Sequence, residues 1–230
     1  MNELVIELSN VTTKPVPFDY EYYLYSSLLS CITKVNPEFA DYIHNFKGGP
    51  LFALGPLVQK GEGSIDVNGI KYSTFNLSIR SNQVEMMQKF DEIFNVGQEL
   101  VSERFNLSIK QKVMRKIIVD SNIATINSLS PVILRNKDRI FIRPEDRNYT
   151  VCLKDGIERR SRKIHNNTEL SIKKLALLDY KNKVKTIHGG FIPCSIIKFD
   201  IWADIEIIQD IIETGIGMKN QLGFGMVNLF

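Results

Sequence analysis

The stretch that most constrains this chain is its C-terminal end, Gly215 to Phe230, which reads GIGMKNQLGFGMVNLF. Two Gly-x-Gly units, Gly215/Gly217 and Gly223/Gly225, frame Lys219 and Asn220. Glycine admits positive φ and close backbone approach because it lacks a Cβ. Successive N–H groups in such a loop form a concavity for an anion, and a lysine at its tip adds a point charge. The alternative is a helix C-cap followed by a hairpin turn. The apolar segment 205–215 that leads into the loop reads as a helix, and a strand-like tail follows. Dinucleotide fingerprints and Walker A loops have the opposite order, strand then helix, so both are excluded.

The rest of the chain alternates short strands with amphipathic helices. Residues 3–9 place Leu4, Ile6 and Leu8 at every second position, the period of a half-buried strand. Asp19 is the expected N-cap of a helix to about Lys34, and Asn36-Pro37 opens a second, short helix. Strands are expected over 51–57, 64–67 and 70–80, then a helix over 83–95 closed by Gly97, then strands at 98–101, 104–109 and 112–119. The second half repeats the order: a strand at 122–129, short strands in SPVILR and RIFIR, a helix over 145–165, strands at 169–180 and 184–203, a helix at 204–214 capped by Asp204, and a terminal strand. This pattern implies an α+β chain of two tandem ferredoxin-like (RRM-like) modules, with antiparallel sheets and helices on one face. The modules are expected at 1–119 and 120–230, sharing a cleft.

Charge is unevenly spread. Residues 1–110 carry 9 Lys+Arg against 13 Asp+Glu, and residues 111–230 carry 20 against 13. The second module is therefore the basic one, suited to a polyanion or to a solvated face. Arg159, Arg160, Arg162 and Lys163 crowd one helix end, and Lys173, Lys174, Lys181, Lys183 and Lys185 follow. Three scattered cysteines among 230 residues argue against a disulfide framework or a zinc site and for a reducing, cytoplasmic setting. The N-terminus has no basic segment before its apolar stretch, so it reads as a strand, and no apolar run is long enough for a membrane span.

On these residues the chain resembles the CRISPR-associated repeat-RNA endoribonucleases, the Cas-six family within the RAMP superfamily. The resemblance rests on the glycine-rich loop through Lys219-Asn220 to the closing GFGMV. A looser similarity covers Leu129-Ser130-Pro131, Arg135 and Pro144-Glu145-Asp146. It implies metal-independent cleavage of repeat RNA by the substrate's own 2′-hydroxyl, leaving a 2′,3′-cyclic phosphate, with no cofactor. His44 stands where the family places its histidine, before Phe52, Gly55 and Leu57, and would act as general acid/base; a capping role at a helix end is its alternative. Lys47 is the candidate for transition-state charge. Gly215, Gly217, Lys219, Asn220, Gly223, Gly225 and the basic run Arg159–Lys163 would hold RNA. The position matching the family's tyrosine is Leu29, with Tyr25 or Tyr42 as substitutes. His165 reads as a phosphate or solvent contact and His188 as a turn residue. The implied partners are CRISPR repeat RNA and other effector-complex subunits, with no membrane, the protein itself being a monomer or homodimer. A non-catalytic RNA-binding subunit is the alternative function, and a scaffold using the loop for protein contacts is a third.

Overall fold

The computed structural model describes residues 2–12, 14–46, 49–187 and 189–230. Its contacts divide the chain into two units, Met1–Ile117 and Ile118–Phe230.

The first unit runs β1 (Glu3–Asn10), α1 (Glu21–Val35), α2 (Pro37–Asn45), β2 (Ala53–Leu54), β3 (Val58–Asp66), β4 (Gly69–Arg80), α3 (Val84–Ile93), β5 (Glu99–Val101) and β6 (Asn106–Arg115). The sheet order is β2-β4-β1-β6-β5, with β3 also on β4. Leu4, Ile6 and Leu8 of β1 lie opposite Ile79, Leu77 and Phe75 of β4, and all six are buried. Leu24, Leu28, Cys31 and Ile32 of α1 and Met86, Met87, Phe90 and Ile93 of α3 complete that core. At the far end of β1 the cross-strand pair Glu3–Arg80 is a buried ion pair at 2.8 Å. Removing one partner of such a pair strands the other charge, at a cost of about 3–5 kcal/mol. α2 follows α1 without a loop because the Asn36 side chain accepts from Phe39 N at 3.0 Å while Pro37 occupies the first turn.

The second unit runs β7 (Ile123–Ser128), β8 (Leu134–Arg135), β9 (Phe141–Ile142), α4 (Tyr149–His165), β10 (Ile172–Ile187), β11 (Gly190–Ala203), α5 (Ile205–Thr214) and β12 (Val227–Leu229). Its sheet order is β10-β11-β7-β12, with β8-β9 a separate hairpin. In both units the main strands lie second, third, first, fourth, all antiparallel, which is the ferredoxin-like arrangement expected.

Among the boundaries that differ from the expectation, three have a clear local reason. β6 is one strand rather than two, because the register on β1 shifts between Glu7/Gln111 and Leu8/Ile109 and the extra Lys110 bulges without ending the pairing. β10 continues through Lys181–Lys185 to Ile187, so Lys181 and Lys183, expected between two strands, lie on an edge strand instead. α4 begins at Tyr149, not 145: the Asp146 carboxylate accepts from Arg143 N at 2.6 Å and its carbonyl accepts from Tyr149 N, making Pro144-Glu145-Asp146 a turn. Among the described residues no helix is long and apolar enough to cross a membrane.

Candidate nucleic-acid interface and catalytic histidine

The glycine-rich segment is a closed knot of backbone. α5 stops at Gly215, whose N–H still donates to Ile211 O while its φ turns to +74°. Ile216 N then donates to Gly225 O at 2.8 Å, so the two ends of the segment meet. Asn220, 2% exposed, fills the middle: its Nδ2 donates to Ile216 O at 2.9 Å and to Phe224 O at 3.2 Å. Gly215 and Gly225 face each other so closely that a Cβ on Gly215 would lie 2.6 Å from Gly225 O, and one on Gly225 would overlap Ile216 O. The glycines were expected to admit a ligand's backbone. Here Gly215 and Gly225 admit the protein's own.

The segment that resembled a family signature at Leu129-Ser130-Pro131 braces this knot. Ser130 Oγ accepts from Met226 N at 3.0 Å, Pro131 O from Gly225 N at 2.9 Å, and Ile133 O from Met218 N at 2.9 Å. Further on, Arg135 stacks on Phe141 at 4.0 Å, and Glu145 accepts from Asn182, whose Oδ1 accepts from Ser195 Oγ at 2.9 Å. The conspicuous sequence motif is thus largely the loop's support.

What the loop offers outward is its tip. Met218 is exposed and Gly217 and Lys219 are half-buried, whereas Gly215, Asn220, Gly223 and Gly225 are buried. Lys219 is held at φ +61°, the left-handed region, which costs an L-residue about 1–2 kcal/mol. Strain held at one half-buried residue of a tightly bonded loop is a feature that clusters at functional sites.

The basic end of α4 divides into two pairs. Arg159 and Lys163 are exposed. Arg160 and Arg162, expected in a row of four facing phosphate, bond to the protein's own backbone. Arg160 Nη1 donates to Gly215 O at 2.6 Å and Nη2 to Gly217 O at 2.7 Å. Arg162 Nε donates to Leu170 O at 2.7 Å, with Glu158 3.4 Å from Nη2. Burial lowers the Arg160 guanidinium to about 10, an effect that Asp210 opposes. Asp210, 3% exposed on α5, lies 3.1 Å from His165 Nε2. Burial raises its carboxyl above the usual range, against the pull of Ser161, His165 and Arg160. His165, expected at phosphate or solvent, is therefore an exposed partner of a buried carboxylate. No sequence signal marked Asp210, which lies in an apolar helix 45 residues from His165.

In the first unit His44 is exposed on the last turn of α2, next to the buried Ile43 that fixes the helix to the core. Tyr42 packs on Phe46 with ring centroids 5.5 Å apart. Positions two apart on a helix do not face each other, so Tyr42 is not placed as a partner for His44. Tyr25 and Leu29 both pack against the core and line one small apolar cavity with Ile43. Burial raises the Tyr25 phenol above its ordinary value. Lys47 and His188 lie outside the described residues.

Comparison with known proteins places these features. Residues 109–229 match the family model described as CRISPR associated protein Cas6, C-terminal. The chain is 24% identical to CRISPR-associated endoribonuclease Cas6 1 of Methanocaldococcus jannaschii, over 98% of this chain and 91% of that one. It is 25% identical to CRISPR-associated endoribonuclease Cas6 of Pyrococcus furiosus, over 93% and 83%. Its fold superposes with a TM-score of 0.87 on a structure described as a RAMP protein binding different RNA substrates, at 20% identity and full coverage of both chains. A second, described as CRISPR associated protein Cas6, gives 0.84 at 21% identity, covering 100% of this chain and 99% of that one. At such identities the superpositions speak for the fold, whereas the family model spans more than half the sequence: the chain belongs to the Cas6 family of CRISPR-associated proteins.

Proposed function

We propose that this protein is an endoribonuclease that cleaves CRISPR repeat transcripts without a metal ion, yielding guide RNA. The observation that carries the reading is an exposed histidine at a helix end in the first unit of a Cas6-family chain. The substrate's 2′-hydroxyl attacks the adjacent phosphate, giving a 2′,3′-cyclic phosphate and a 5′-hydroxyl. His44 moves a proton in that step, as a positioned imidazole can. Lys47 supplies charge to the phosphorane. RNA phosphates lie against the Gly217–Lys219 tip, Arg159 and Lys163. Gly215, Asn220, Gly223 and Gly225 shape that tip from within. The exposed edge lysines of β10 add sequence-independent attraction.

The test is cleavage of a repeat RNA in EDTA. Wild type should cut, and His44→Ala should slow the cut by about 10²–10⁴-fold, the usual worth of acid–base catalysis, with RNA affinity intact. Cleavage abolished by EDTA, or unaffected by His44→Ala, refutes the mechanism. Leu29, packed against the core where the family carries tyrosine, favours one second reading: a non-catalytic subunit that holds repeat RNA within an effector complex. It predicts a normal gel shift with no cut in wild type.

A further inference from the structure

We propose that Arg160, backed by Asp210, is a positioning residue that sets the shape of the glycine-rich loop and does not itself touch RNA. The inference deepens the RNA-holding role assigned above to the loop tip and rests on it.

The argument starts from two peptide planes. The 215–216 peptide has its carbonyl on Arg160 Nη1 and its N–H on Gly225 O. The 217–218 peptide has its carbonyl on Arg160 Nη2 and its N–H on Ile133 O. A trans peptide is rigid, so a plane held at both edges cannot rotate. One guanidinium therefore locks two successive turns of the loop, immediately before the strained Lys219. Only arginine offers two parallel donors in a fixed fork; a lysine ammonium is a single point. Charge-assisted hydrogen bonds are the stronger kind, and both of these are short. Asp210 on α5 favours the charged guanidinium electrostatically, and its carboxylate lies 3.1 Å from His165 Nε2 on α4. The helix that carries Arg160 and the helix that feeds the loop are thus tied through Arg160 to Gly215 O and through His165 to Asp210.

This arrangement separates two roles that a basic residue of an RNA-binding surface can have. A lysine or arginine on phosphate releases counterions, so losing it lowers the salt dependence of binding. A residue that only shapes the site changes affinity and leaves the salt dependence alone.

The experiment uses the full chain with Arg160→Lys and Arg160→Met, read two ways. Amide hydrogen exchange at Ile216, Met218 and Gly225 is measured without RNA, and repeat-RNA affinity is measured across a salt series. Expected are exchange at Ile216 and Met218 at least about tenfold faster and a Kd raised about tenfold, as befits loss of a charge-assisted pair. The salt slope should be unchanged. A slope shallower by about 0.7–0.9, the signature of one lost phosphate contact, with exchange unaltered, overturns the proposal. So does a variant that matches wild type in both readouts. Ile157→Val, a buried α4 change, serves as the destabilised control: equal loss of affinity in it would make the Arg160 effect a general one and sink the proposal. If Arg160→Met does not fold, Arg160→Lys, which keeps the charge, decides alone. A wild type without RNA affinity refutes the RNA reading of the loop, and the exchange arm still judges the hold of Arg160 on it.

Discussion

One substitution tests the loop geometry most directly: Gly225→Ala, paired with Gly156→Ala in the same unit. Gly225 has φ +67°, and a Cβ there would overlap Ile216 O and come within 2.8 Å of Asn220 Nδ2. The φ alone costs an L-residue about 1–2 kcal/mol. The overlap is with backbone and with a side chain already holding two carbonyls, so relief means breaking the Ile216–Gly225 hydrogen bond or displacing Asn220. Overpacking of that kind costs about 1–3 kcal/mol more. The total is about 2–5 kcal/mol, a loss of roughly 10–25 °C in Tm for a unit of this size. Gly156 lies in α4 at ordinary φ with nothing within 4 Å of its added Cβ. There the same change should stabilise by about 0.5–1 kcal/mol through helix propensity. The assay is thermal unfolding of both variants beside wild type. Opposite signs are required. A Gly225→Ala melt within a degree or two of wild type would mean the loop is not closed on itself as described.

Further outcomes follow from other parts of the structure. Lys219→Gly should relieve left-handed strain, raising stability by about 1 kcal/mol, yet flatten the salt dependence of RNA binding by about 0.7–0.9 if the ammonium meets phosphate; an unchanged slope removes Lys219 from the interface. Glu3→Gln, which leaves the buried Arg80 without its carboxylate, should cost about 3–5 kcal/mol in urea unfolding, and a loss under 1 kcal/mol would contradict the burial of that pair. Burial raises the phenols of Tyr20 and Tyr149 well above the ordinary value. The unfolded chain ionises them near pH 10 while the folded chain keeps their protons, so their contribution is intact below about pH 10 and declines as pH climbs past it. Tyrosinate absorbance should then show a class of tyrosines that ionises only with unfolding; one smooth titration of all tyrosines in the folded protein would count against this.

The strand and helix order was legible because it rests on period. Leu4, Ile6 and Leu8 alternate, and Phe90 and Ile93 recur at helical spacing, so core-facing positions announce themselves. Lys110 did not, since a bulge breaks the alternation without ending the strand, and a reader of periods takes the break for a turn. The loop was conspicuous by composition, but what its glycines admit was not legible, for a physical reason. Glycine says only that something comes close, not what; here the neighbour is Gly225 O or Ile216 O rather than a ligand. Arg160 and Arg162 look alike in sequence to Arg159 and Lys163, and only tertiary contacts 55 and 57 residues away for Arg160 separate them. His44 was found through resemblance alone; it lies on the final, exposed turn of α2.

β10 carries Lys173, Lys174, Lys181, Lys183 and Lys185 along an outermost strand of sixteen residues. An edge ribbon of that length is a template for another copy to join. Its own cationic fringe works against this, because a like strand laid alongside brings ammonium against ammonium. The same fringe that we propose draws in nucleic acid would therefore keep the bare protein from zipping onto itself, and a long polyanion bound there would remove the repulsion that keeps neighbours apart.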